Sequence, residues 1–475
     1  MTSYSAVFVT EISTAIRRSF FKSSTSTLPF ATGASKVTLK PRWTAKERTR
    51  FCVARCLRIS ICSSACFRYF SFCWSKSVSF ETSFYENQGR YLNYQTDYFR
   101  TRGELFKNQN NPGYAVHNAT VNGMGRTKPF KTKALDHAFV MGHISYTPIK
   151  QINFQFGYGD HFIGNGYRSL LLSDNSFKYP YIKIRSNFWK NRFQYTVLYT
   201  FMNNLFRMPT TTSTESLFEK KGGTFHYLDF AVTKKFNIGV FEGVVWDQAD
   251  STGLKKFNYN FINPIIFMNT AVHGMENQKA NAVIGINFSL RYIPMTEIYG
   301  QFMVDGFKKS KFGYQIGIKT FDFFAKDLNL QFEYNYVAPY TYAHQNIRQS
   351  YSHYNMPLAH PAGGGFHEII LKANYIWKRM FVNFKSNFYS KRNTFTNENT
   401  GADVFQSDLN KLNNSKNSFI YLQQIEFGYR FNKKNSLQVF TGWQGRAFEH
   451  PDHKEISHYL YFGIRTTFIN ENFDF

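Results

Sequence analysis

Residues 328–336 read LNLQFEYNY, and chemical class changes at every second side chain. In an extended chain Leu328, Leu330, Phe332, Tyr334 and Tyr336 fall on one face, and Asn329, Gln331, Glu333 and Asn335 on the other. A two-residue period marks a β-strand whose faces meet different surroundings. QINFQFGY at 151–158 repeats it, with Ile152, Phe154, Phe156 and Tyr158 against Gln151, Asn153 and Gln155. Ile182 and Ile184 oppose Lys183 and Arg185; Ile284, Ile286, Phe288 and Leu290 oppose Asn287, Ser289 and Arg291; Ile425, Phe427 and Tyr429 oppose Glu426 and Arg430.

Composition narrows the class. The 475 residues include 53 Phe and 31 Tyr, yet mean hydropathy is −0.40. No apolar run approaches the roughly 18 residues of a membrane helix. Strands that alternate lipid-facing apolar with lumen-facing polar residues, between aromatic girdles, give this combination. The chain is therefore expected to be all-β, a transmembrane antiparallel β-barrel. Polar connections near 209–223, 339–365 and 392–417, with short turns such as 250–253 and 432–435, match the long loops and short turns at the two ends of an outer-membrane barrel. At about 22 residues per strand and connection, roughly 395 residues give roughly 16–18 strands. A barrel that wide needs water or a plug in its lumen, so the apolar face is expected to point outward. A soluble β-rich interaction module is the competing architecture, but it would have to bury most of the rings and shows no blade-length repeat.

Residues 1–78 differ from 79–475, the expected barrel domain. They are rich in Ser, Thr, Arg and Cys and lack alternation, so we expect an irregular, non-native leader standing where a signal peptide and first strands would be. A transit peptide is the alternative. All five cysteines, Cys52, Cys56, Cys62, Cys66 and Cys73, fall there, and a cysteine-free barrel agrees with export through an oxidising periplasm. The net charge of +26 divides into +11 for residues 1–80 and +15, scattered singly, for the rest. Without a basic stripe or a recognition motif, no nucleic-acid partner is expected. The final strand, HYLYFGIRTTF at 458–468, places Leu460, Phe462, Ile464 and Phe468 on one face, as barrel-assembly machinery would read it, although INENFDF follows.

Catalytic and metal motifs fail on inspection. His367-Glu368 is followed by Leu371 where a zinc-protease helix needs histidine, and the C-x₃-C pairs of the leader match no standard zinc knuckle. Gly157, Gly159, Gly164 and Gly166 miss the dinucleotide spacing. Asp160, His161 and Ser169 have no nucleophile elbow. Loop histidines His353, His360 and His367 are expected to be exposed. We expect no enzyme, cofactor or metal.

The densest polar group is FGYGDHFIGNGYRSLLLSDNSFKYPYIKI at 156–184, with Tyr158, Asp160, His161, Asn165, Tyr167, Arg168 and Asp174 around glycines that permit a compact, inward-folded loop. Two roles are open. Arg168 and its neighbours could hold a glycan, with tyrosine rings stacking on sugars, or Asp160 or Asp174 could pair with Arg168 to fix a loop that constricts the lumen.

This stretch, especially GNGYRSLLLSDNSFKYPYIKI, resembles the Wzi-type capsule-assembly barrels, and most closely the RemB-type gliding-motility proteins of Bacteroidetes. The resemblance implies a non-catalytic protein of the bacterial cell outer membrane that attaches or assembles surface polysaccharide or supports gliding motility, with outer-membrane lipid and surface polysaccharide as partners. A diffusion porin or transporter is the alternative function.

Overall fold

The computed structural model describes Ser75 and residues 77–465, apart from 109–110, 131–133, 208–217, 251–252, 255–257, 278, 307–309, 393–398, 410–415 and 433–436. It also describes the strand paths Ser5–Phe8, Arg58–Cys62 and Phe67–Cys73. The leader otherwise lies outside the described residues, as do Cys52, Cys56, Cys66 and the tail from 466 with Phe468.

The barrel wall is an antiparallel meander. Its strands are β1 (Val78–Gly89), β2 (Ala134–Ile149), β3 (Ile152–Gly159), β4 (Tyr179–Phe188), β5 (Phe193–Arg207), β6 (Phe218–Ala231), β7 (Phe236–Asp247) and β8 (Ala280–Leu290). It continues through β9 (Thr296–Gly306), β10 (Lys311–Phe321), β11 (Leu328–Val337), β12 (Phe366–Trp377), β13 (Met380–Arg392), β14 (Asn417–Asn432), β15 (Leu437–His450) and β16 (His453–Arg465). Each pairs with the next, as in Phe332↔Leu371 between β11 and β12. Phe67–Cys73 pairs with β1 and Arg58–Cys62 with Phe67–Cys73, all within one 21-stranded sheet. The meander thus falls within the expected strand number. Ser5–Phe8 runs parallel to β16, and no pairing joins the sheet's two edges among the described residues.

The faces are sorted as the alternation predicts, apolar side outward. Phe156 is 64% exposed and Phe332 40%, whereas Glu333 and Asn335 are fully buried. The side chains that a soluble protein would hide face outward, and the carboxylates and amides face the interior, so hydrocarbon must cover the outside. Short turns close one end, several through left-handed residues such as Trp189, Lys190 and Asn191. Rings crowd that rim: the exposed Trp189 stacks on Phe193 at 5.3 Å, and Phe193 on Phe230 at 4.3 Å, one half of an aromatic girdle.

The long connections lie at the other end. The one after β1 carries helix α1 (Asn93–Thr101), and the one after β7 carries a short helix α2 (Met268–His273). Those after β3, β11 and β13 fold into the barrel, where Leu170, Leu171, Leu172, Tyr342, Leu358 and Val404 pack in one buried cluster with inward-facing wall residues such as Phe225, Phe241 and Met303. The polar connection expected at 339–365 is largely core.

Candidate functional site: a plugged lumen

The loop 160–178 enters the lumen because its glycines let backbone approach the wall. An added Cβ at Gly166 would stand 2.6 Å from Gln315 Oε1, and Gly164, at φ +141°, abuts Gln301. The wall answers with inward carboxylates and amides. Glu333 of β11 accepts from the Tyr167 and Arg168 backbone N–H groups at 2.6 and 3.0 Å, and from the Tyr299 hydroxyl at 2.7 Å. Gln301 Oε1 accepts from Leu170 N–H at 2.7 Å, and Gln315 donates to the Arg168 carbonyl at 3.1 Å.

The guanidinium of Arg168 is buried, with Nε and Nη2 each 3.4 Å from Glu368 Oε1 and Nη2 donating to the Tyr389 hydroxyl at 3.0 Å. Glu368 also receives Asn387 at 3.1 Å, Asn335 at 3.0 Å and His360 Nε2 at 2.6 Å. Several hydrogen bonds per carboxylate are what a buried ion pair needs to offset the loss of water. Lys372 Nζ lies 4.0 Å from the Tyr167 ring centre, and Arg168 stacks on the same ring at 4.9 Å.

The structure corrects the expected partner of Arg168: the carboxylate comes from β12, across the lumen. Asp160 pairs instead with Lys178 at 3.5 Å, and Asp174 is exposed. His161 is buried between Tyr179 and Tyr181, with ring centres at 5.8 and 4.4 Å. Asn165 donates to Glu297 and accepts from Asn287, both at 3.0 Å. Tyr158 packs edge-on against Phe177. The candidates do not form one binding surface: Asn165, Tyr167 and Arg168 engage the wall, Asp160 and His161 are held by Lys178, Tyr179 and Tyr181, and Tyr158 sits on β3. Ser169 donates to the Ile163 carbonyl and to Gln301, which is no arrangement for a nucleophile.

Two further corrections concern the histidines. His353 and His360 are buried, not exposed, because the connection that carries them fills the lumen; His367, facing outward, is exposed. The residues missed by sequence reasoning, Glu333, Glu368, Gln301 and Gln315, were visible only as the polar face of alternating strands.

The inward loops hold one another. Ser173 N–H donates to the Leu358 carbonyl at 2.7 Å, Tyr342 and Tyr351 hydroxyls donate to the Leu170 and Leu171 carbonyls at 2.7 and 2.8 Å, and Tyr340 N–H donates to the Gly401 carbonyl at 2.8 Å. At the loop end, Arg102, just after α1, makes a two-pronged pair with Asp403, both contacts at 2.8 Å. Burial opposes ionisation of Asp403, but Arg102 outweighs it and holds the carboxyl below the usual range.

Burial pushes His353 down to about 3, and the positive charges of Lys221 and Lys220 push the same way; burial also lowers His360 against the pull of Glu368. Groups kept neutral in the folded plug but free to protonate when released stabilise it fully above the ordinary histidine pKa of about 6.5, and lose that contribution as pH falls from there toward the folded value. Asp403, depressed in the fold, loses its contribution only at lower pH, as it protonates. Residues 338–365 should therefore become cleavable by added protease between pH 7.5 and 5 while the wall stays intact. Equal resistance at both values would show that these histidines do not hold the plug.

No protein-family model matches the chain, and no curated protein matches it. Among solved structures it is similar to Wzi of Escherichia coli, an outer-membrane protein involved in group 1 capsule assembly and described as a carbohydrate-binding β-barrel. The TM-score is 0.51 at 13% identity, over 83% of this chain and 76% of that one. The chain has an outer-membrane barrel fold. OprD of Pseudomonas aeruginosa matches with TM-score 0.40 and 8% identity over 84% of this chain and 87% of that one. The channel DcaP of Acinetobacter baumannii gives 0.36 and 11% over 81% and 96%. Fold and apolar outer face together make the bacterial outer membrane its location.

Proposed function

We propose that the protein is a non-catalytic outer-membrane barrel that attaches or assembles surface polysaccharide, with loop 160–178 as the element that constricts its lumen. The observation that carries this reading is the packing of the chain's own loops into the lumen. A diffusion porin needs a continuous aqueous path past polar side chains, whereas here the inward wall groups bond to the protein's own loops. Arg168 is buried and bonds through Nε and Nη2 to Glu368 and Tyr389, which favours its role in holding the plug over direct contact with sugar. A role in gliding motility rests on the sequence resemblance of residues 156–184 alone, and the same cells can test it.

Loss of the protein should release polysaccharide from the cell surface into the medium and leave uptake of small hydrophilic solutes unchanged. Retained polysaccharide with slower solute uptake would select the porin reading instead. Unimpaired spreading of the deletion strain would remove motility from the proposal.

A further inference from the structure

Among the described residues, one break in the alternation of the wall is covered by the chain itself. On β5, β6 and β7 the outward positions include Tyr195, Thr224, His226 and Glu242, where neighbouring strands carry Ile, Leu or Phe. Yet Thr224, His226 and Glu242 are fully buried. Their cover is the stretch 258–275 from the connection after β7, which folds outward over the wall instead of into the lumen.

The fit is mutual. Glu242 accepts from the Phe267 and Thr270 N–H groups at 2.7 and 2.9 Å and from the Thr270 hydroxyl at 2.5 Å. The Tyr195 hydroxyl lies 2.6 Å from His226 Nδ1 and donates to the Pro264 carbonyl at 2.6 Å; Thr224 donates to the Phe261 carbonyl at 2.8 Å. Phe261 stacks on Trp246, another outward residue, at 5.2 Å. Phe267 holds a left-handed backbone, φ +66°, unusual for a bulky residue and fixed here by its bond to Glu242. The opposite side of the stretch is apolar and open, with Tyr259 76%, Ile265 58% and Val272 64% exposed.

Depth decides what covers that side. Glu242 lies six residues from Phe236 at the short-turn rim, which is roughly 20 Å along a strand at about 3.3 Å per residue. With a barrel tilt of about 40°, that is about 15 Å above the rim, inside an apolar band about 25 Å tall. We infer that residues 258–275 form a strap embedded in the lipid of the outer membrane, shielding a polar notch in the wall and continuing the lipid-facing surface with its own apolar side. An uncovered Glu242 at this depth would face hydrocarbon; with the strap its oxygens are bonded and the bilayer meets Ile265 and Val272.

The inference is tested on whole cells with the photo-crosslinker p-benzoylphenylalanine placed at position 272, compared with Ile286 on the lipid face and Leu409 at the loop end. Lipid adducts at 272 matching those at 286 are expected. An adduct to a second copy or to another protein, or a pattern like that at 409, overturns the lipid assignment. In parallel, the unmodified protein should resist external protease within 258–275, while Glu242→Leu, or Thr270→Val if the former does not assemble, should be cut there several-fold faster. Cleavage of the unmodified strap on intact cells would also overturn it. Neither readout depends on polysaccharide, so the strap can fail while the proposed function stands.

Discussion

Glu368→Ala should cost about 3–5 kcal/mol, the range for removing one partner of a buried ion pair. The loss exceeds one hydrogen bond because Arg168 stays buried and positive, and because Asn335, Asn387 and His360 all point at the vacated carboxylate. The damage should be local. The wall, held by ladder hydrogen bonds, should still form a heat-modifiable barrel, while the interior becomes accessible to protease and to ions. Arg168→Met combined with Glu368→Leu replaces both charges with apolar volume and should recover most of the loss, since an ion pair can often be exchanged for packing at little net cost. If Glu368→Ala unfolds as late as the unmodified protein and stays closed, the pair does not hold the plug.

The second large effect concerns the membrane face. Phe332→Arg should cost roughly 2–4 kcal/mol if its position is near the bilayer midplane, because a cation there must be drawn out of water into hydrocarbon. Gln331→Arg should be tolerated. Gln331 faces inward, where it donates to the Tyr299 hydroxyl at 2.7 Å with the Glu333 carboxylate nearby, and a guanidinium can replace that donor. Folding into detergent or lipid, followed by denaturant titration, separates the two. Equal tolerance would contradict the assignment of the faces.

The wall was legible because the period of two is local. Phe332 beside Glu333 already states that the faces differ, and ring content with strand number decides which faces out. The plug was legible only in part. Crowded polar residues and close glycines at 160–178 pointed to a compact inward loop, and that is where the chain goes. The partner of Arg168 was not legible, because Glu368 is 200 residues away and meets it only when the sheet curls. Proximity in sequence favoured Asp160 and Asp174, but the curl of the wall brings β12 closer. His360 was misjudged for the same reason: proline and glycine at 361–365 identify a loop without saying that it turns inward. The strap had a sequence signal that went unused, since His226 and Glu242 break an apolar face, and such a break at membrane depth demands cover.

The closed lumen is tested most directly by current through the protein in a planar lipid bilayer. The unmodified chain, inserted at neutral pH, should show no steady ohmic conductance. A steady open level of porin size in the unmodified protein, without acid or mutation, would contradict the plugged barrel and the function proposed from it.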